Sequence, residues 1–123
     1  MGNGLFREDD GIDEETCLSM YDNSYDFYKL VLDTFCKEIG KTYANMKETF
    51  ASNDVEGYRI SVHGLKGSGG SCGARELVRL ATESNALIKE GKWDEAVKYH
   101  QPILEELERL MSLIPQRLEE QTK

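Results

Sequence analysis

The 123-residue sequence is short of basic residues, proline, cysteine and long apolar runs, and each shortage removes a class of function. Fifteen Lys and Arg stand against 23 Asp and Glu, a formal net charge of −8. That deficit argues against nucleic acid as a partner, because affinity there comes from cations on phosphates. No apolar run approaches the ~20 residues that cross a bilayer. No charged-then-apolar leader is visible either, and Phe6 stands where a myristoylation motif has Ser or Thr. Cys17, Cys36 and Cys72 are odd in number and form no CxxC pair, which excludes a disulfide framework or zinc knuckle and predicts a reducing cytoplasm. Strand-like alternation is nearly absent, and nothing repeats. What is left is one domain, large enough to bury its own core.

The acidity is uneven. Residues 1–20 hold one Arg against six acids, so five of the eight net negative charges lie there. The Gly/Asp-rich opening predicts a flexible acidic lead-in over 1–11, a helical bundle over 12–114 and a solvated tail over 115–123.

Helical spacing fills the middle. A short helix is expected over Glu14–Tyr21. Tyr25, Tyr28, Val31 or Leu32, and Phe35 predict a second over Asp22–Ile39, with Ser24 or Asn23 as N-cap. Gly40 should break or bend it before Tyr43, Met46 and Phe50 resume the phase. Asn53-Asp54 reads as a turn and N-cap for a helix to Ser71, and another follows over Ala74–Lys89 with Gly91 as its stop. Trp93, Val97, His100, Leu104, Leu107, Met111 and Ile114 step by fours and threes. Pro102 inside that stripe predicts a kink or two collinear pieces, and Pro115 an end. The fold class is therefore all-α: an antiparallel, up-and-down four-helix bundle preceded by a short helix.

The informative stretch runs from Tyr58 to Ala74. At about 100° per residue, Val55, Tyr58, Val62, Leu65, Gly69 and Cys72 share one arc, so His63 points away from it. Arg59, Ile60, Lys66, Gly67 and Gly70 share the outer face with His63. Taken one by one, each feature is unremarkable: an exposed His is usually surface decoration, and GSGGSCG alone reads as a flexible loop. Together they place a nucleophile beside a cation, with glycine where side chains would obstruct a partner. No carboxylate lies within one helical turn of His63, so no metal site is expected there. Arg59 and Lys66, with Arg75 and Arg79 on the next helix, predict a mildly basic face.

The run H-G-L-K-G-S-G-G-S-C-G-A resembles the signature of histidine-containing phosphotransfer domains, H-x-L-K-G-S-x-x-x-x-G-A followed by Leu. His63, Leu65, Lys66, Gly67, Ser68, Gly73, Ala74 and Leu77 match it. Gly11-Ile12-Asp13, Leu18, Tyr28, Leu32, Phe35 and Asp54 fit the flanks, so the resemblance spans about 11–113. Gly64, Gly69, Asn85 and Cys17 depart from residues common in the family. The resemblance implies a phosphocarrier with His63 as phosphoacceptor and Lys66 steadying the phosphoryl charge. It implies Leu65, Ser68, Gly73 and Ala74 as structural motif residues, and Arg59, Ile60, Gly67 and Gly70 as partner contacts. It also implies a receiver domain of a response regulator or hybrid histidine kinase as partner, Mg²⁺ on that partner, and no cofactor, kinase activity or obligate oligomer in this chain.

Three other functions could be built on the same residues. A nucleotide loop fails because Lys66 precedes its glycines and Cys72 stands where GxGxxG needs Gly. Metal binding fails on spacing, with His100 expected in or near the core, Cys36 and Cys72 buried, and Cys17 unassigned. A non-catalytic interaction module using the Ile60/Gly67 face is the serious alternative, but it does not need His63 and Lys66 in register.

Overall fold

The computed structural model describes residues 4–121, and every regular element in it is a helix apart from an isolated antiparallel bridge between Ile12 and Ala74. Helix α1 spans Glu14–Met20, α2 Tyr25–Ala51, α3 Val55–Cys72, α4 Arg75–Lys89, α5 Trp93–Ala96 and α6 His100–Gln121. The long helices pack in a ring, α2 on α3, α3 on α4, α4 on α6 and α6 on α2, as an all-α bundle requires. Side chains start the early helices: Ser24 and Asp54, as expected, accept from the amides of Phe27 and Gly57, and Asp13 likewise accepts from Thr16. Gly91, at φ +76°, ends α4: its amide and that of Lys92 donate to Ile88 and Leu87.

Three expectations fail, each for a physical reason. Gly40 does not break its helix: α2 runs through it from Tyr25 to Ala51. One glycine costs a helix about 1 kcal/mol. Phe35, Ile39 and Met46 are buried on either side of it, and a fully buried large side chain contributes about 1.5–3 kcal/mol. Burial wins. Pro102, by contrast, goes with two helical pieces as expected: α5 and α6 are joined by a 3-10 turn over Val97–Tyr99, which holds Lys98, whose carbonyl the missing Pro102 amide would have met. Pro115 does not end α6, which continues to Gln121 with Leu118 packed on the core and Arg117 buried.

The third failure concerns the lead-in. Leu5 is buried, Phe6 packs edge-on against Tyr28, and Glu8–Asp10 form a 3-10 turn. Asp10 is buried against Arg117, whose guanidinium lowers the carboxyl pKa against a burial effect that raises it. The order therefore begins before Ile12, and residues 115–121 are not a solvated tail. Residues 1–3 and 122–123 of those two expected segments lie outside the described residues.

Two buried tyrosines fix the inner ends of the bundle. The Tyr28 hydroxyl donates to the Cys72 carbonyl at 2.7 Å, and Tyr58 is hydrogen-bonded to His100 Nδ1 at 2.8 Å. His100 is half-buried as expected, stacked on Phe50 at 3.8 Å with Trp93 edge-on to Tyr58. Burial lowers the pKa of His100, so the unfolded chain binds its proton more readily than the fold does. The resulting stability is full above the ordinary imidazole pKa, about 6.5, and is lost as pH falls toward the lower folded value. Thermal unfolding followed between pH 7.5 and 5.5 should show a falling midpoint. His100→Phe, which keeps a ring on Phe50, should flatten that slope.

Candidate functional site

Helix α3 is built to carry an exposed side chain on a rigid inner seam. Tyr58, Val62, Leu65, Gly69 and Cys72 are buried as predicted, whereas Val55, in the first turn, is 39% exposed. His63, Ile60, Gly67 and Gly70 are exposed, and Arg59 and Lys66 half-buried. The predicted outer face is therefore present with every member on it.

Helical geometry divides that face. With His63 at zero and about 100° per residue, Gly67 and Ile60 lie to one side, Arg59 and Lys66 to the other, and Gly70 almost directly in line. The neighbours agree with this division. Ser61, further round on the Ile60 side, accepts from Asn45 of α2 at 2.6 Å. Gly69, on the Lys66 side, would place a Cβ 3.1 Å from Val78 of α4. The site thus has an apolar, open edge toward α2 and a basic edge toward α4.

The basic edge is weaker than the sequence predicts. Arg59 is tied in two hydrogen bonds to Glu56, at 3.0 and 2.7 Å, and Arg79 to Glu76 and Glu83. Among the described residues Lys66 has no ion pair, nor does Arg75. Next to His63 the one uncompensated charge is Lys66. The imidazole itself has no hydrogen-bond partner among the described residues, so its ring is free to meet an incoming group.

Glycine has two separate uses in α3. At Gly64, Gly67 and Gly70 a Cβ would meet nothing within 4 Å, so the absence of a side chain leaves room above the helix rather than within the fold. Gly73 is different. Its φ is +87°, and a Cβ would fall 2.8 Å from the Asp13 carbonyl oxygen, where Asp13 N donates to Gly73 O. Four glycines between Gly64 and Gly70 cost the helix about 1 kcal/mol each, so its end must be held from outside. Tyr28 and Tyr21 do this, donating to the carbonyls of Cys72 and Ser71 at 2.7 and 2.6 Å. Ser68 donates back to Gly64 O, and Ala74 begins α4 after accepting the Ile12 bridge, which fits both as structural residues.

Sequence reasoning missed one part of the surface. Phe27 and Leu30 of α2 are 48% and 60% exposed and border a groove of about 380 Å³, floored by Val31 and Phe35 and walled by Ser68 and Ser71 of α3. The groove adjoins the apolar edge of the site. Both residues sit off the Tyr28–Leu32–Phe35–Ile39 phase, and an apolar residue out of phase was the signal available.

The thiols take no part. Burial raises Cys72 to about 12 and Cys36 to about 11 and also raises Cys17, so all three stay protonated. Cys17 and Cys72 are buried and Cys36 half-buried. No cluster of His, Cys, Asp and Glu suited to a metal occurs among the described residues. No helix there is long and apolar enough to cross a membrane.

A family model described as Hpt domain matches residues 30–117. No curated protein matches the chain. Two solved structures share its fold. The HPT domain of an Hpt sensor hybrid histidine kinase from Shewanella superposes with a TM-score of 0.82 at 19% identity, over 90% of this chain and 96% of that one. Histidine-containing phosphotransfer protein B from Pseudomonas aeruginosa gives 0.76 at 21% identity, over 89% and 96%.

Proposed function

The chain belongs to the Hpt domain family and is a phosphocarrier of a two-component phosphorelay, and from that premise we propose that His63 is the residue that carries the phosphoryl group. The observation that supports this most is the exposure of His63 on a rigid helix with Lys66 one turn on and glycine above. A neutral imidazole nitrogen attacks the phosphorus of an aspartyl phosphate on the receiver. The N–P bond forms as the P–O bond breaks, and the aspartate leaves as a free carboxylate. The return step reverses this.

Such a reaction needs in-line placement and neutralised charge, and little else. Lys66 supplies charge from this side by attracting the phosphoryl oxygens. The receiver supplies the aspartate and the Mg²⁺. Ile60, with Phe27 and Leu30 beyond it, gives the receiver an apolar edge to cover, and Gly67 and Gly70 let its backbone approach closely. Arg59 contributes as the Glu56 pair rather than as a free cation. The chain acts as a monomeric carrier without kinase activity, beside its receiver in the cytoplasm. The three free thiols suit that reducing compartment.

Mixing the chain with a phosphorylated receiver domain should move the label onto the chain. Lys66→Ala should slow that transfer by roughly 10²-fold, the scale of losing one charge-stabilising donor, with the helical circular dichroism intact. Unchanged kinetics would remove Lys66 from the mechanism. Failure of the unaltered chain to take label from any receiver domain would remove the carrier reading.

A further inference from the structure

We infer that the N-terminal segment, latched by the Asp10–Arg117 ion pair, is a strap that positions the C-terminal half of α3 and with it the surface offered by Gly67 and Gly70 to the receiver. The inference rests on the phosphocarrier reading above, and its test separates the two.

The strap begins at α6. Arg117 donates to the Asp10 carboxylate through Nε at 2.9 Å and Nη2 at 3.1 Å, and both residues are 6% exposed. Arg109 of the same helix donates to the Asp10 carbonyl at 2.9 Å. Upstream, the Glu14 carboxylate accepts from the amides of Leu5 and Phe6 and from the Tyr25 hydroxyl, so the segment is tied to α1 and α2 as well.

From there the contacts lead to α3. Phe6 rests on Tyr28, whose hydroxyl holds the Cys72 carbonyl. Ile12 bridges Ala74, and Asp13, which donates its amide to Gly73, also caps α1. Helix α1 then returns Tyr21 to the Ser71 carbonyl. Every partner of the last turn of α3 along this route is in the strap or in an element the strap touches.

The two halves of α3 are held differently. His63 and Lys66 lie beside the buried Val62 and Leu65, which anchor the helix in the core directly. Beyond them the buried positions are the small Gly69 and Cys72, so that half of the helix leans more on its external ties. Asp10 and Arg117 are accordingly positioning residues: loosening the strap should disturb docking more than the chemical step.

The experiment compares the unaltered chain with Asp10→Asn, Asp10→Glu and the double variant Asp10→Asn/Arg117→Gln, which leaves no buried unpaired charge. Amide exchange over residues 66–74 is measured with each free protein, and transfer from a phosphorylated receiver is measured at varied receiver concentration. Both Asn-containing variants should exchange faster at residues 69–74, and the half-saturating receiver concentration should rise about fivefold with the maximal rate within about twofold, the pattern of lost pre-organisation. Asp10→Glu should restore most of both. If Asp10→Asn fails to fold, the double variant carries the same two readouts. Unchanged exchange at 69–74, or a maximal rate that falls while half-saturation stays put, would overturn the strap. Absence of transfer in the unaltered chain would instead sink the phosphocarrier reading, while the exchange measurement would still decide whether the strap holds α3.

Discussion

His63→Gln should abolish phosphoryl uptake from a labelled receiver while leaving the fold as it is. The substitution removes the nucleophile and keeps a polar side chain of similar reach. The site is exposed and makes no hydrogen bond among the described residues, so unfolding should shift by no more than about 0.5 kcal/mol. Label on the unaltered chain should be lost in acid and kept in base, as expected of an N–P bond and not of a serine ester. His100 is the internal control. It is half-buried, stacked on Phe50 and bonded to Tyr58, so it is poorly placed to meet a partner in line. Acid-labile label on His63→Gln at the level of the unaltered chain would reject the assignment.

The second large effect is on stability. Gly73→Ala should lower the unfolding free energy by about 2–4 kcal/mol, from the left-handed backbone penalty of about 1–2 kcal/mol and the loss of a buried backbone hydrogen bond. The bond at risk joins Asp13 N to Gly73 O at 2.8 Å, and the new methyl would stand 2.8 Å from the Asp13 carbonyl oxygen. In a domain of this size the midpoint should fall by roughly 10 °C, which thermal circular dichroism reads directly. Gly91→Ala isolates the backbone share. Its φ is +76°, but a Cβ there meets nothing within 4 Å, so only the backbone penalty of about 1–2 kcal/mol should be lost. Equal losses at the two positions would mean that the close contact with Asp13 contributes nothing.

The parts of this molecule legible in its sequence are those set by local periodicity. The bundle, its side-chain caps at Asp54 and Ser24, the inner seam of α3 and the outward direction of His63 all follow from spacing near 3.6 residues per turn. The family motif then assigns a chemistry to that direction. What could not be read depends on distant residues. Asp10 and Arg117 are 107 positions apart, and nothing near either announces the other. Without that pair the lead-in reads as a loose acidic tail and Pro115 as an end. Gly40 misleads for the converse reason, because a local helix breaker says nothing of the core on either side of it. The outer face reads as basic from Arg59, Arg75 and Arg79, yet Glu56, Glu76 and Glu83 lie one turn from Arg59 and Arg79 and neutralise those two. Phe27 and Leu30 were visible as out-of-phase apolar residues, but only the groove beside Ser68 and Ser71 gives them a place in the site.

With His63 as the proposed phosphoacceptor, its placement on the exposed face of one helix also sets the order of events. Donor and acceptor must each bring a carboxylate in line with the same ring, over the same glycines and the same apolar edge. Two receivers therefore cannot occupy the chain together. Each passage of the phosphoryl group consists of docking, transfer and complete departure before the next partner arrives. On that reading the chain is a shuttle with one berth, so receiver release enters each passage alongside the chemistry at the imidazole.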